Sequence, residues 1–189
     1  MAALLRDLGA GVIDSDEQAH EVLNTREVRR TLVEWWGERV CPDGQNVDRR
    51  EIARIVFDAP AELGRLEGLL YPKIAERRDL LIERMENDPA IQAIALDSPK
   101  LLEAGLHPMC DALIVVDAPA DVRRARLARS RGWSAEEVER REKRQMPINE
   151  KRAKADYVLI NNSDLESLKP AIQDVFRSLT EKFRATSPS

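Results

Sequence analysis

The sequence predicts an α/β fold, a mostly parallel sheet covered on both faces by helices. Short apolar runs at Gly11-Val12-Ile13, Ile91 to Leu96, Ala112 to Val116 and Tyr157 to Ile160 each stop at a polar or turn residue, as buried strands stop at the rim of a sheet. The stretches between them carry apolar residues at helical spacing. Strands that alternate with helices are the pattern of a parallel sheet with crossover helices.

Taken in order, residues 1 to 8 have apolar positions at helical spacing, and Gly9 stands where a C-terminal cap belongs. No Ser, Thr, Asp or Asn precedes this helix as an N-cap. The first strand then runs into Asp14-Ser15-Asp16. Helical segments are predicted at about 17 to 36 and 48 to 57, divided by the turn signal Pro42-Asp43-Gly44. A third, about 60 to 86, contains Pro72 and is expected to kink or split there. The segment from about 120 to 154 is rich in Arg, Lys and Glu and is broken in two at Arg131-Gly132-Trp133-Ser134, with Ser134 and Glu137 forming a capping box. The final helix, about 164 to 184, aligns Leu165, Leu168, Ile172, Val175, Phe176 and Leu179 on one face, and the polar tail after Phe183 is expected to fray.

At 189 residues the chain is long enough for one well-buried core, and one domain with a small helical elaboration is expected. A formal charge of −4 gives no reason to expect a nucleic-acid partner. Cys41 and Cys110 lie far apart without metal-ligand spacing, so buried or idle thiols in a reducing cytoplasm are expected. No stretch approaches the ~20 apolar residues of a membrane span, and residues 1 to 8 lack the basic start of a signal peptide.

Four colinear pieces resemble the dephospho-CoA kinase family. They are Leu8-Gly9-Ala10-Gly11-Val12-Ile13-Asp14-Ser15-Asp16; Val47-Asp48-Arg49 with Val56-Phe57 and Leu66 to Ile74, where Tyr71 stands in place of the family's usual His; Asp97 to Leu106 with Cys110 to Pro119; and Arg131 to Ser134 with Arg141 to Gln145 and Pro147 to Asn162. The resemblance implies a P-loop-kinase-like parallel sheet with flanking helices, a helical substrate-side region at about 17 to 90 and a helical lid at about 120 to 154. It implies transfer of the γ-phosphoryl of ATP, with Mg²⁺, to the ribose 3′-hydroxyl of dephospho-CoA, the last step of coenzyme A synthesis. ATP and dephospho-CoA are the implied small-molecule partners, with no nucleic acid and no membrane.

Asp16 is the implied catalytic base, since an acid past the carboxyl end of a strand sits where open α/β sheets place ligands; a helix cap is its structural alternative. Asp14 either orients Mg²⁺-bound water on the substrate side or ends the strand. Arg126 and Arg141 match lid positions that neutralise the transferring phosphoryl group, while a further lid arginine of the family falls at Ser130. Gln145, Lys151 and Arg152 are further candidates for nucleotide contacts, surface salt bridges being the ordinary fate of the last two. Leu101, Leu102 and Glu103 lie in the family's acceptor-side turn. No residue is assigned as a protein ligand to metal. His20 and His107 have no matched partner, and Trp35 and Trp36 read as helix packing.

The family opens with a strand and a G-x-x-x-x-G-K-[ST] loop, roughly 14 residues in all, and no such motif occurs in this sequence. The resemblance therefore implies a sheet whose first central strand, between those ending at Asp97 and Asp117, is absent from this chain. Poor stability and little or no kinase activity are the expectation for a chain that starts at Met1. Met1 falls where the family often carries Val, and a GTG codon is read as Met only at a start. An authentic kinase with an upstream reading frame is thus the leading expectation, ahead of a non-catalytic remnant that binds CoA-like ligands or a protein partner and of another small-molecule kinase of similar fold.

Overall fold

The computed structural model describes residues 1–143, 145–162 and 165–184. The chain divides into two compact units, Met1–Val12 with Asp97–Ser189, and Ile13–Leu96. Helix α1 (Ala2–Asp7) ends as its sequence predicts: the Leu8 and Gly9 N–H groups donate to the Leu5 and Arg6 carbonyls at 3.1 and 2.9 Å, and Gly9 takes φ +89°, where a side chain would be strained. Strand β1 (Ala10–Asp14) comes next, and within it the chain passes from one unit to the other.

The expected helix at 17 to 36 is two helices, α2 (Ser15–Leu23) and α3 (Arg26–Trp36). Thr25 makes the break: its extended backbone leaves the helix, and its hydroxyl donates to the Val22 carbonyl at 2.9 Å while accepting from the Val28 N–H at 3.4 Å. Asn24 fixes the corner by accepting the Val47 N–H at 2.9 Å. The turn at Pro42 to Gly44 forms as predicted, with Asp43 Oδ1 accepting the Gln45 and Asn46 N–H groups at 2.8 and 2.7 Å. Helix α4 (Arg49–Val56) is capped by Asp48, and α5 (Pro60–Glu86) continues through Pro72 as one helix rather than splitting. These helices enclose Val22, Leu23, Val28, Leu32, Val40, Val47, Ile52 and Leu66. Trp35 and Trp36 pack at the margin of this core, as expected, with Trp36 Nε1 donating to Glu62 at 2.7 Å and Arg65 stacked 3.8 Å from the Trp35 ring.

Strand β2 (Ala93–Asp97) pairs with β1. The other unit holds β3 (Ile114–Asp117), α6 (Ala120–Arg131), α7 (Ala135–Glu142), α8 (Ile148–Lys154), β4 (Tyr157–Ile160) and α9 (Leu165–Arg184). β3 and β4 run parallel, in register from Ile114 opposite Tyr157 to Asp117 opposite Ile160, as the alternating pattern requires. β3 begins later than the apolar run at Ala112 suggests, because Asp156 claims the Leu113 backbone: its Oδ2 accepts the Leu113 N–H at 2.7 Å and its own N–H donates to the Leu113 carbonyl at 2.9 Å.

The expected break at 131 to 134 forms, with Gly132 at φ +64°. A second break separates α7 from α8 ahead of Pro147, which has no N–H to continue a helix, so the charged segment is three helices rather than two. The Ser134 hydroxyl accepts the Glu137 N–H at 3.3 Å, while the Glu137 carboxylate pairs with Arg140 and Arg141 instead of closing the box. α9 packs on α1 and β4 and buries Leu168, Ile172 and Phe176; the Leu165 side chain and the tail lie outside the described residues. No helix among the described residues is long and apolar enough to cross a membrane.

Candidate active site

In the Ile13–Leu96 unit, the run of apolar residues ends at Asp14, and helix α2 begins immediately. Asp14 is half-buried, and its Oδ1 accepts the N–H groups of Asp16 and Glu17 at 2.9 and 3.1 Å. It is therefore the N-cap of α2, and the strand-end and capping roles fall on one residue. Asp16 is in the first turn, with its side chain in solvent. The cap that the sequence allows at Asp16 is thus made by its neighbour. A short strand feeding a helix whose first turn is capped by Asp14 leaves the Asp16 carboxylate exposed just past the strand's carboxyl end.

The remaining candidates lie in the other unit. Arg126, on α6, donates to Asn161 Oδ1 at 3.0 Å, and the Asn161 N–H donates to the Asp117 carbonyl at 2.7 Å, so this guanidinium is held at the carboxyl ends of β3 and β4. Arg141 is half-exposed; its Nε donates to Glu137 at 2.6 Å and its guanidinium lies 4.1 Å from the Trp133 ring centroid. The Arg141 hydrogen bond is the main cause of a Glu137 carboxyl held below its ordinary range. Ser130, where the family places an arginine, turns its hydroxyl to the Arg126 carbonyl at 2.8 Å.

Leu101 is buried and Leu102 half-buried, so Leu101 shapes the turn after β2 from within. Glu103 Oε1 accepts the Met146 N–H at 2.6 Å and pairs with Lys151 Nζ at 3.0 Å. Gln145 Oε1 accepts from the same ammonium at 3.4 Å. Of the predicted residues, the structure thus brings Glu103 and Gln145 together, through Lys151. The salt bridge expected of Lys151 forms, to Glu103, with the Lys151 side chain 13% exposed.

Sequence patterns do not single out Asp117 and Arg123. Asp117, with 11% of its side chain exposed, takes Arg123 at 3.2 Å, Arg152 at 3.5 Å and the Ala118 N–H at 2.7 Å. The signal that could have found it is its place: like Asp14, it is an acid ending a strand. Among the described residues no cluster of His, Cys, Asp and Glu is suited to hold a metal ion.

A free carboxylate past a strand end in one unit, and guanidinium groups gathered at strand ends in the other, are the chemistry of the α/β phosphotransferases. Comparison with known proteins narrows that class. The family model described as dephospho-CoA kinase matches residues 1–167. The dephospho-CoA kinase of Aquifex aeolicus is 33% identical over 181 residues, covering 95% of this chain and 90% of that protein. That of Thermus thermophilus is 37% identical over 180 residues, covering 95% and 85%. A crystal structure of a Thermus thermophilus protein superposes with a TM-score of 0.78 at 36% identity, over 94% of this chain and 89% of its own. The dephospho-CoA kinase of Campylobacter jejuni, at 22% identity and a TM-score of 0.60, shares the fold, over 95% and 89%. The chain belongs to the dephospho-CoA kinase family.

Proposed function

We propose that this protein transfers the γ-phosphoryl group of ATP to the ribose 3′-hydroxyl of dephospho-CoA in the cytoplasm, with both units acting as one kinase domain. Asp16 accepts the proton of the attacking hydroxyl. The observation that carries this role is the division of labour at the start of α2: Asp14 satisfies the helix N-terminus, so the Asp16 carboxylate has no capping duty and stays exposed. Arg126, Arg141 and Gln145 face the nucleotide from the lid at about 120 to 154, and the turn carrying Leu101, Leu102 and Glu103 belongs to the acceptor side. Mg²⁺ would arrive with the ATP phosphates, as it commonly does in kinases that bind it through few protein carboxylates. The donors fit that mode, because Asp14 Oδ2 is left to hold a metal-bound water once Oδ1 has capped the helix. When bound, the ion supplies charge neutralisation between the phosphates.

The test is direct. The purified gene product is incubated with ATP, Mg²⁺ and dephospho-CoA, and the 3′-phosphate is followed by ³¹P NMR; no product at high ATP and Mg²⁺ refutes the proposal. A second reading, a non-catalytic protein that binds CoA-like ligands, is favoured by one observation: residues 1–189 contain no G-x-x-x-x-G-K-[ST] run. On that reading residues 1–189 show little or no turnover while dephospho-CoA still binds in calorimetry. A panel of other hydroxyl acceptors with ATP separates both from a small-molecule kinase of different substrate.

A further inference from the structure

Lys151 gathers three acceptors: Glu103 Oε1 at 3.0 Å, the Pro99 carbonyl at 2.6 Å and Gln145 Oε1 at 3.4 Å. An ammonium has three N–H donors, so these three acceptors occupy all of them and leave none to offer a phosphate. Glu103 is matched to it. Its Oε1 also accepts the Met146 N–H at 2.6 Å, a backbone donor at the junction between α7 and α8. Side-chain exposure is 13% for Lys151 and 23% for Glu103, well below that of the helix-surface pairs such as Lys143 with Glu139, at 73% and 60%. Removing one partner of a pair with this little side-chain exposure costs more than at an open helix surface, because the other is left without its counter-charge. Burial alone pushes the Glu103 carboxyl up, and the hydrogen bonds from the Met146 N–H, its own N–H and Lys151 more than reverse it.

These groups come from two segments far apart in sequence. Pro99 and Glu103 belong to the turn after β2; Gln145, Met146 and Lys151 span the junction where the charged helices change direction ahead of Pro147. Proline removes one backbone donor there, and Gln145 makes a single turn bond, N–H to the Glu142 carbonyl at 3.0 Å.

We infer that Glu103 and Lys151 are positioning residues: a clasp that fixes the α7–α8 junction to the acceptor-side turn and thereby aims Gln145. This rests on the proposed kinase reading and reassigns Glu103 within it, from a group that touches dephospho-CoA to one that sets the shape of the lid's base. The clasp makes the turn and the lid junction move as one body.

Amide exchange and kinetics on the full gene product test it together. In Glu103→Gln and Lys151→Met, Met146 amide exchange accelerates at least tenfold while amides of β3 and β4 keep their rates, and the double variant is no worse than the worse single one. Lys151→Arg, which keeps the charge, restores most of the protection. Unchanged Met146 exchange in both single variants overturns the clasp, whatever the enzyme does. In the kinetic arm, Glu103→Gln lowers kcat about tenfold and leaves KM for dephospho-CoA within twofold. A raised KM with kcat unchanged means that Glu103 touches the acceptor, and overturns the assignment. A wild-type protein that phosphorylates nothing refutes the kinase reading alone, since the exchange arm still decides the clasp.

Discussion

Asp14 and Asp16 are separated by one residue, and substitution should pull their roles apart. Asp14 Oδ1 holds two backbone N–H groups of α2, Asp16 at 2.9 Å and Glu17 at 3.1 Å. Removing a cap of this kind costs about 1 kcal/mol, within a range of about 0.5 to 2. Asp14→Ala should therefore lower the urea midpoint measurably and the melting temperature by about 2 to 4 °C. Asp14→Asn keeps an acceptor oxygen and caps almost as well, so its stability should match the wild type within about 0.5 kcal/mol. Asp16 is exposed, and Asp16→Asn gives up only a favourable charge near the helix N-terminus, about 0.3 to 1 kcal/mol. Its effect belongs in turnover: loss of a general base lowers kcat about 10² to 10⁴-fold, with dephospho-CoA binding by calorimetry unchanged within threefold. The experiment is urea unfolding, calorimetry and a coupled ADP assay on the same preparations. Asp16→Asn with wild-type turnover would sink the catalytic assignment. Asp16→Ala as destabilising as Asp14→Ala would sink the division of labour from which it was drawn.

Other outcomes rest on single features. Leu32 is fully buried in the core of the Ile13–Leu96 unit, so Leu32→Ala should cost about 2 to 5 kcal/mol by urea unfolding, whereas Phe57→Ala, at a position 58% exposed, should cost under about 0.5. Asp43 has its carboxyl lowered to about 2, chiefly by the Asn46 side-chain amide and then by the Asn46 and Gln45 N–H groups. Because folding favours its anion, its contribution to stability is complete above the ordinary carboxylate range and disappears as pH falls through about 2; an NMR titration of Asp43 that gives an ordinary value would show that this turn does not form as described. Gly132 takes φ +64° with nothing near the place a Cβ would occupy, so Gly132→Ala should cost about 1 kcal/mol from backbone strain alone and speed exchange at the end of α6.

How much of the molecule is legible in its sequence depends on distance along the chain. The carboxyl ends of the strands, the Pro42 to Gly44 turn, the Gly9 cap, the break at Gly132 and the apolar face of α9 are all decided within a few residues, and each lies where periodicity and turn chemistry put it. The split at Thr25 is local too, but a Thr inside a helical pattern reads equally as a helix residue until its hydroxyl is seen to serve both ends. The late start of β3 is not legible at all, because it is set by Asp156, 43 residues away from Leu113. The same holds for the site. Asp16 is visible as an acid just past a strand end, while the contacts of Lys151 depend on Pro99 and Glu103, which no pattern within the charged helices could reveal.

Asp14, Asp97 and Asp117 each end a strand, so one residue type recurs at one topological place. The residues downstream decide what each acid does. After Asp14 a helix begins without a spacer, and the nearest unsatisfied donors are its own backbone N–H groups, which Asp14 takes. After Asp117 the sequence inserts Ala118-Pro119 before α6; the helix N-terminus is displaced, and the donors that arrive are the Arg123 and Arg152 guanidinium groups with the Ala118 N–H. A strand-end acid is thus committed by its successor rather than by its strand. This is why the proposed base is Asp16: it is the first acid after β1, and Asp14 has already taken two N–H groups of the helix's first turn. Inserting two residues between Asp14 and Ser15 should free Asp14 from capping and fray the first turn of α2, and retention of full turnover by that variant would show that the geometry of this turn is not what places the base.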